Sequence, residues 1–551
     1  MSSPQEGQSS TSAGRLPAEL IVTIGYLLDG HSLVASLRVC HHWHNALIHV
    51  VWHSITKTQW QHPTFPIQQP TGGRRSLSEK DPFIGQLPPT LFHVRQLEWV
   101  CNTTEVGDRF SYSGYRQNPL TTATLARVLD STPNLVSLSL QVWVVMPDLA
   151  FVRTLQQLRR LRRLSYDILA NTTFPIEELF SLFCRLDELV VPSRVWIKTR
   201  ADEQDDIGSA SPPTSGDPWK LKKLDIARGN LPLLQYCSDR TLRELVIRRE
   251  YMIGNPFETP DSFLPILRFS HLGSIRLAIE SSPGQQEDVV LVLSSLKHAR
   301  ELVLDVFAIH DLDFLNSPPL TLASARQQSL IPEQWMQQQQ QGHSQGDTAD
   351  DGEGVDDGLM ILPHLEHLTI HFINPLITHV RMTTFRRLVM TRPRLKTFVV
   401  TNHDVDPDIL FAKSRIRAEW DGWVCKDLET LSLCFPKGLY SKTVLGRDYT
   451  WRSIYQQIGR LTKLKSLSLR CVGLQRTVDA GFKQLAGATC LQELTMIDVR
   501  YLKWTEEEVE LLLPLVPKLK TFSLGPLQDA DFLSVATWLA ESGRSDVRLV
   551  R

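Results

Sequence analysis

No stretch of this 551-residue sequence approaches the roughly 18 consecutive apolar residues that a membrane-spanning helix needs. The first fourteen residues, MSSPQEGQSSTSAG, are small and polar and lack the apolar core of a signal peptide. Neither sign of charge dominates, because 59 Lys and Arg face 60 Asp and Glu. That balance gives no support to a nucleic-acid or membrane-surface binder. We therefore expect an intracellular protein, in the cytoplasm or nucleus, that binds neither nucleic acid nor membrane.

Cysteine is sparse, and no two cysteines form a C-x-x-C pair. Eight cysteines spread over this length are expected to be reduced and mostly buried, without a disulfide framework or a zinc site. The G-x-x-x-x-G-K-[ST] phosphate loop and the H-E-x-x-H helix are missing as well. The sequence thus predicts no cofactor, no metal and no catalytic residue. An enzyme with a hidden site is the alternative, which a pocket of converging polar groups with shifted pKa values would support.

Three closely spaced histidines, His41, His42 and His44, resemble part of a metal site. No fourth ligand and no cysteine pair completes the set that a structural zinc ion requires. We expect these side chains to form the polar face of a helix.

The segment between residues 16 and 52 has the pattern of a small helical unit. Pro17 suits the first turn of a helix, and apolar residues follow it at helical spacing. Asp29 and Gly30 are expected to end this helix, and Ser32 to cap a second one that continues to residue 52. About 40 residues can hardly bury enough apolar surface to be stable alone. The surplus Leu and Trp side chains are therefore expected to contact a partner or a neighbouring domain.

This segment resembles the F-box, the helical module that attaches substrate receptors to the adaptor of cullin ubiquitin ligases. The resemblance rests on Leu-Pro-x-Glu-Leu at residues 16–20 and on Val-Cys-x-x-Trp at residues 39–43. It implies a three-helix module that binds a Skp-family adaptor and, through it, a cullin, and it implies that the chain is a non-catalytic subunit. The residues implied to contact the adaptor are Leu16, Pro17, Leu20, Ile21, Ile24, Leu28, Leu37 and Trp43. The alternative is an ordinary helical pair that caps a larger domain.

The pattern L-x-x-L-x-L recurs along the rest of the chain, and each copy is typical of a short buried strand. Its first apolar residues are Val94, Leu135, Leu161, Leu186, Leu221, Leu242, Leu272, Ala299, Leu365, Leu395, Leu428, Leu464, Leu491 and Leu519. Successive copies lie 21 to 41 residues apart, with one gap of 66. Helical stretches, such as 175–184 and 505–513, lie between them. Strand plus helix at this period predicts an α/β leucine-rich-repeat solenoid with parallel strands on the concave face and helices on the convex face. Unrelated α/β elements are the alternative.

The gap of 66 residues contains a glutamine run at 337–341 followed by an acidic, polar segment. Such a composition predicts a disordered insert and not a domain boundary. The predicted organisation is a disordered N-terminus at 1–14, an F-box at 15–56, a linker at 57–90 and a solenoid at 91–545, with disordered inserts at about 201–217 and 316–358.

This layout resembles fungal F-box proteins with irregular leucine-rich repeats. The resemblance implies a substrate receptor of an SCF-type ubiquitin ligase, whose solenoid binds a target protein that the sequence does not identify. A scaffold that binds the adaptor but acts outside ubiquitination needs the same module, and therefore remains a second hypothesis.

Residues that alternate with the leucines of a strand point to its other face, here the concave one. In the C-terminal half these residues are small and hydroxylated, which leaves room for a partner to approach the strands. The predicted target-binding residues are Thr397, Thr401, Thr430, Ser432, Ser466, Ser468 and Arg470. Small residues that merely accommodate tight curvature are the alternative.

A short basic run, Arg159, Arg160, Arg162 and Arg163, is interleaved with repeat leucines. A nucleic-acid-binding stripe is conceivable, but the near-neutral net charge favours a solvated edge of the repeats.

Overall fold

A computed structural model of the chain describes most of the repeats and the N-terminal helices. The described residues are 16–55, 89–101, 122–142, 149–168, 172–192, 195–198, 218–249, 263–279, 283–307, 312, 315, 361–373, 383–404, 423–435, 447–471, 481–498, 504–523 and 529–550. The predicted disordered N-terminus (1–14), both predicted inserts and nearly all of the predicted linker lie outside them.

The chain divides into two compact units. The first contains Met1–Ser238 and Glu250–Ile253, and the second contains Asp239–Arg249 and Gly254–Arg551. Among the described residues, no helix is both long and apolar enough to cross a membrane.

The first unit begins with three helices and continues as a parallel sheet. Its α-helices are α1 (Ala18–Leu27), α2 (Gly30–Ser36), α3 (His41–Val51), α4 (Thr122–Asp130), α5 (Leu149–Gln157) and α6 (Ile176–Phe183), and its 3-10 helices are Pro89–His93 and Arg228–Tyr236. Its strands are β1 (Ser54–Ile55), β2 (Gln96–Cys101), β3 (Ser137–Val142), β4 (Arg163–Ile168), β5 (Thr172–Pro175), β6 (Glu188–Val191), β7 (Val195–Lys198) and β8 (Lys223–Ala227). The main sheet has the order β1-β2-β3-β4-β6-β8, and β5 and β7 form a separate parallel pair.

The second unit is a longer parallel sheet with helices between its strands. Its strands are β9 (Glu244–Arg248), β10 (Ser274–Ile279), β11 (Glu301–Val306), β12 (His367–Phe372), β13 (Thr397–Asp404), β14 (Thr430–Cys434), β15 (Ser466–Cys471), β16 (Glu493–Asp498), β17 (Thr521–Ser523) and β18 (Arg548–Val550). Each strand pairs with the next in sequence. Its α-helices are α7 (Pro283–Ser295), α8 (Thr383–Thr391), α9 (Arg447–Gly459), α10 (Glu506–Leu515) and α11 (Asp529–Glu541), and its 3-10 helices are Leu264–Arg268 and Phe482–Gly487.

The repeat prediction is confirmed within each unit. All fourteen L-x-x-L-x-L copies begin a strand two residues after their first apolar position. The second apolar positions then stand in register across neighbouring strands, as with Leu431, Leu467 and Leu494. These side chains are at most 1% exposed, and burying one leucine is worth about 1.5–3 kcal/mol. Each unit is therefore an α/β repeat array whose core is a ladder of leucines.

Some local predictions are wrong. Asp29, and not Ser32, caps α2, because the Asp29 carboxylate accepts a hydrogen bond from the Ser32 backbone N–H at 2.8 Å. The expected single helix up to Trp52 is broken into α2 and α3, since Cys40 has extended backbone angles between them. The sheet of the second unit also extends to Val550, beyond the expected end of the solenoid at 545.

A buried arginine joins the two ends of the large insert. Arg392 follows α8 and is only 5% exposed. Its guanidinium donates hydrogen bonds to the carbonyl oxygens of Leu315 and Leu362, at 3.3 Å for Leu315. Both leucines are buried, one on either side of the segment 316–360. The Arg392 side chain therefore connects the residues on the two sides of this segment within one repeat.

Candidate functional site

The three N-terminal helices pack around a small apolar core. Ile21 from α1 is completely buried against Ala46, Leu47 and Val50 from α3. Gly25 permits this close approach, since a Cβ atom there would lie 2.5 Å from Leu47 Cδ2. We call residues 16–55, which contain these helices, the helical unit.

The opposite side of α1 exposes apolar side chains. Leu16, Leu20 and Leu27 are 42%, 50% and 82% exposed. Their spacing places Leu20 and Leu27 on one side of α1, with Leu16 just before the start of the helix. Tyr26 and Val39 are 59% and 64% exposed. We call the side chains of Leu16, Leu20 and Leu27 the apolar stripe.

The predicted adaptor-binding residues divide between the surface and the interior. Leu16, Pro17 and Leu20 are exposed, whereas Ile21 lies in the core. The remaining four side chains are partly buried, and two of them pack against the core: these four are Ile24, Leu28, Leu37 and Trp43.

Sequence reasoning missed the exposed Leu27. Leu20, Ile24, Leu27 and Leu28 follow one another at helical spacing, and this periodicity alone does not show that α1 has an inner and an outer apolar side.

One of the histidines at the start of α3 contacts the segment before α1. His42 Nε2 lies 2.9 Å from the carbonyl oxygen of Leu16, so this ring connects α3 to the residues before α1. In the part of the chain that the structure describes, no group of three or more His, Cys, Asp or Glu side chains could hold a metal ion.

Three histidines and an arginine lie close together where the helical unit meets the first strands: His49, His53, His93 and Arg95. The backbone N–H groups of Arg95 and Gln96 donate to the carbonyl oxygen of His53. Burial lowers the pKa of His49 below its ordinary value, and the nearby charges of His93, Arg95 and His53 lower it further. Burial also lowers the pKa of His53, with a second contribution from Arg95. These groups therefore favour the neutral form of both histidines.

The predicted target-binding residues lie side by side on three neighbouring strands of the second unit. Thr397, Thr430 and Ser466 are register partners on β13, β14 and β15. Ser432 pairs with Ser468 one step further along the strands, and Arg470 is exposed beyond them. All the predicted hydroxyl side chains are partly exposed, while the leucines between them are buried. We call this polar side of β12–β15 the open face.

Two histidines of β12, absent from the predicted set, also belong to the open face. His367 Nδ1 lies 2.9 Å from Thr397 Oγ1, and His371 Nδ1 lies 2.7 Å from Thr401 Oγ1. Cross-strand pairs of this kind depend on strand register, which the sequence pattern alone did not reveal.

An ion pair borders these histidines. Arg276 donates to both carboxylate oxygens of Asp305, at 2.7 and 3.0 Å. Burial lowers the pKa of His371, the Asp305 carboxylate opposes this shift, and the Arg276 guanidinium adds to it. The open face thus combines hydroxyls and imidazoles and is bordered by one bidentate ion pair, which suits hydrogen bonding to a polar partner.

Comparison with known proteins gives only distant likenesses. No family model matches the chain, and no curated protein matches it. Among 76 matching chains of known structure is that of a TLR13–ssRNA13 complex, with a TM-score of 0.35, 11% identity and coverage of 80% of this chain and 57% of that one. Another is from the Rad7–Elc1 complex of yeast, with a TM-score of 0.31, 13% identity and coverage of 83% and 74%. The chain therefore spans little more than half of the TLR13 chain, and these similarities identify neither a family nor a function.

Proposed function

We propose that this chain is the substrate-recognition subunit of an SCF-type ubiquitin ligase. In this proposal the helical unit binds a Skp-family adaptor, and through it a cullin, while the open face binds a target protein. The observation that carries the proposal is the apolar stripe, three leucines exposed on one side of α1. Apolar surface exposed to water is unfavourable, so three neighbouring exposed leucines mark a surface that a partner covers.

The position of the apolar stripe supports an adaptor contact at the start of the helical unit. The F-box-like residues 16–20 include two of the three leucines of the apolar stripe. Buried apolar anchors dominate protein interfaces, and truncating one can cost about 2 kcal/mol or more. Ile21 and Leu47 pack between α1 and α3 and so fix the position of the helix that carries the apolar stripe.

The open face supplies a surface of a different character. Its hydroxyl side chains are short, so a partner can approach the strands closely, and its histidines offer donors and acceptors at fixed positions. In this proposal the chain does no chemistry. It brings the target near the catalytic subunits in the cytoplasm or nucleus, which accelerates transfer by proximity and orientation.

A pull-down with purified Skp-family adaptor tests the proposal. Leu16→Ala with Pro17→Ala, and separately Leu20→Ala with Leu27→Ala, should abolish adaptor capture while the melting temperature stays unchanged. Leu533→Ala is the matched control, because Leu533 is also a helix residue and is 63% exposed in the second unit. Unchanged affinity of both double variants would refute the assignment of the helical unit.

Co-purification of the cullin separates the two functions that need an adaptor. A complex of chain, adaptor and cullin supports the ligase. A complex of chain and adaptor that excludes the cullin would instead support the second hypothesis, a scaffold that acts outside ubiquitination.

A further inference from the structure

One edge of the main sheet in the first unit carries an excess of positive charge. The residues just before the strands stand in consecutive positions along this edge: the N–H of Val136 donates to Arg95 O, that of Arg162 to Val136 O, that of Asp187 to Arg162 O and that of Lys222 to Asp187 O. The turns that precede these strands add Arg159, Arg160, Arg185 and Lys220. We call these seven cationic side chains, Arg95, Arg159, Arg160, Arg162, Arg185, Lys220 and Lys222, the basic edge.

Most of these cations have no acidic partner. Lys222 pairs with Asp187 at 3.0 Å, and Arg163 beside the basic edge pairs with Glu188 at 3.3 Å. Among the described residues, the other six side chains of the basic edge lie beyond ion-pair distance of any carboxylate. Burial lowers the pKa of Arg185, and the like charges of Arg162 and Arg159 lower it further. The cations therefore stand close enough to repel one another.

On the corresponding edge of the second unit, the stretch before β12 to β15 is largely charge-paired. There Glu366 pairs with Lys396, Glu429 with Lys465 at 2.7 Å, and Asp427 with Lys463 at 2.6 Å. The position before the strand thus alternates in sign from Glu366 to Lys465. In the first unit the same position is occupied by Arg95, Val136, Arg162, Asp187 and Lys222. Repeat architecture by itself does not demand the excess of arginine and lysine.

Two members of the basic edge, Arg162 and Arg185, also stabilise the fold by hydrogen bonds to backbone carbonyl oxygens. Arg185 donates to the carbonyl oxygen of Gln156 at 2.8 Å, near the end of α5, and Arg162 donates to the carbonyl oxygen of Arg185 at 3.3 Å. Cations at a helix C-terminus are stabilising. Arg159, Arg160 and Lys220 are exposed and make no such bond in the described structure, so stability does not account for them.

We propose that the basic edge binds an extended acidic segment of a partner protein. Four strand steps separate Arg95 from Lys222, which at about 4.8 Å a step spans about 19 Å. An extended chain rises about 3.3 Å per residue, so roughly six residues cover the basic edge. This surface is independent of the apolar stripe and of the open face.

A protein segment fits this edge better than a nucleic acid does. Asp187 and Glu188 interrupt the row of cations near its middle. A phosphate group fixed in a nucleic-acid backbone would be repelled there, whereas the carboxylate of a flexible glutamate side chain can turn away. A short acidic peptide can place its carboxylates against Arg160 and Lys220 and a neutral residue between them.

Fluorescence anisotropy of labelled octaglutamate against the full chain tests the proposal, with octaglutamine and an eight-nucleotide single-stranded DNA as comparison probes. Octaglutamate should bind more tightly than either, and its affinity should fall as salt is raised, because exposed charges are screened. Arg160→Glu with Lys220→Glu should weaken octaglutamate binding by about tenfold, since each reversal replaces a surface attraction by a repulsion.

The matched control is Lys518→Glu with Lys520→Glu, which makes the same change of charge on the edge of the second unit and should alter affinity less than about twofold. Arg159→Gln with Arg160→Gln is a milder second variant, which guards against misfolding. Equal binding of octaglutamate and octaglutamine, or equal losses in both charge-reversal variants, would overturn the proposal. Tighter binding of the DNA probe, abolished by the changes at Arg160 and Lys220, would also overturn it in favour of a nucleic-acid surface.

Discussion

Replacing Arg392 by methionine should loosen the repeat that carries the large insert. The guanidinium donates to two buried carbonyl oxygens, those of Leu315 and Leu362, and methionine fills a similar volume without donating. A hydrogen bond from a charged donor contributes about 1.5–3 kcal/mol, so two contribute about 3–6 kcal/mol. Removing a buried charge offsets part of this loss, because the unfavourable free energy of desolvating the guanidinium is removed as well. We expect a net loss of about 2–4 kcal/mol.

Native-state hydrogen exchange measures this loss where it occurs. The amides of β12 and β13 should exchange about 30-fold to 1000-fold faster, provided that they exchange through opening of this repeat. Lys396→Met is the matched control, since Lys396 pairs with Glu366 on the surface of the same strands and such pairs contribute about 0–1 kcal/mol. Equal exchange in the Arg392 and Lys396 variants would refute the reasoning that one side chain closes the repeat.

Deleting residues 327–357 should leave the free energy of unfolding within about 1 kcal/mol, because closure entropy grows slowly with loop length; urea titration measures it. Ser468→Trp and Thr430→Arg should each block capture of a target, identified by affinity purification under proteasome inhibition, while adaptor binding persists. Stability should fall below pH 6.5, since the folded state lowers the pKa of His49 and His53. The contribution of these histidines to stability is fully present above the pKa of the unfolded state and is lost as the pH falls through the pKa of the folded state. Melting temperatures between pH 7.5 and 5.5 should therefore drop less in a His49→Gln, His53→Gln variant.

Each of these expectations can fail clearly. Loss of soluble expression on deletion of residues 327–357 would show that the segment packs on the repeats. Normal target capture by both open-face variants would move the target site to another surface. Equal pH dependence in the variant and the unchanged chain would remove the two histidines as its cause.

The repeats could be predicted from the sequence because fourteen of the eighteen described strands follow a copy of L-x-x-L-x-L. The short strands β1, β5 and β7 follow no copy. The same rule failed at the end of the second unit. β18 pairs with β17 so that Arg548 stands opposite Thr521, and the position equivalent to Leu519 is therefore Asp546. The strand forms because its backbone completes the sheet, which a pattern of side chains does not reveal.

Other features depend on contacts between residues far apart in the chain. Arg392 reaches Leu315 across 77 residues, and no local pattern distinguishes it from a surface arginine. In the helical unit the apolar spacing predicted a helix, but only the position of α3 decides that Ile21 is inside and Leu27 is outside. Local sequence patterns therefore predicted the helices and strands, whereas tertiary contacts decide which of their side chains are buried and which are exposed.

Hydrogen–deuterium exchange of the full chain, with and without purified Skp-family adaptor, tests the central claim most directly. The account predicts slower exchange of residues 16–28, which contain the apolar stripe, and unchanged exchange in β14 and β15 on the open face. Unchanged exchange at residues 16–28 in the presence of saturating adaptor, or protection confined to the open face, would contradict it.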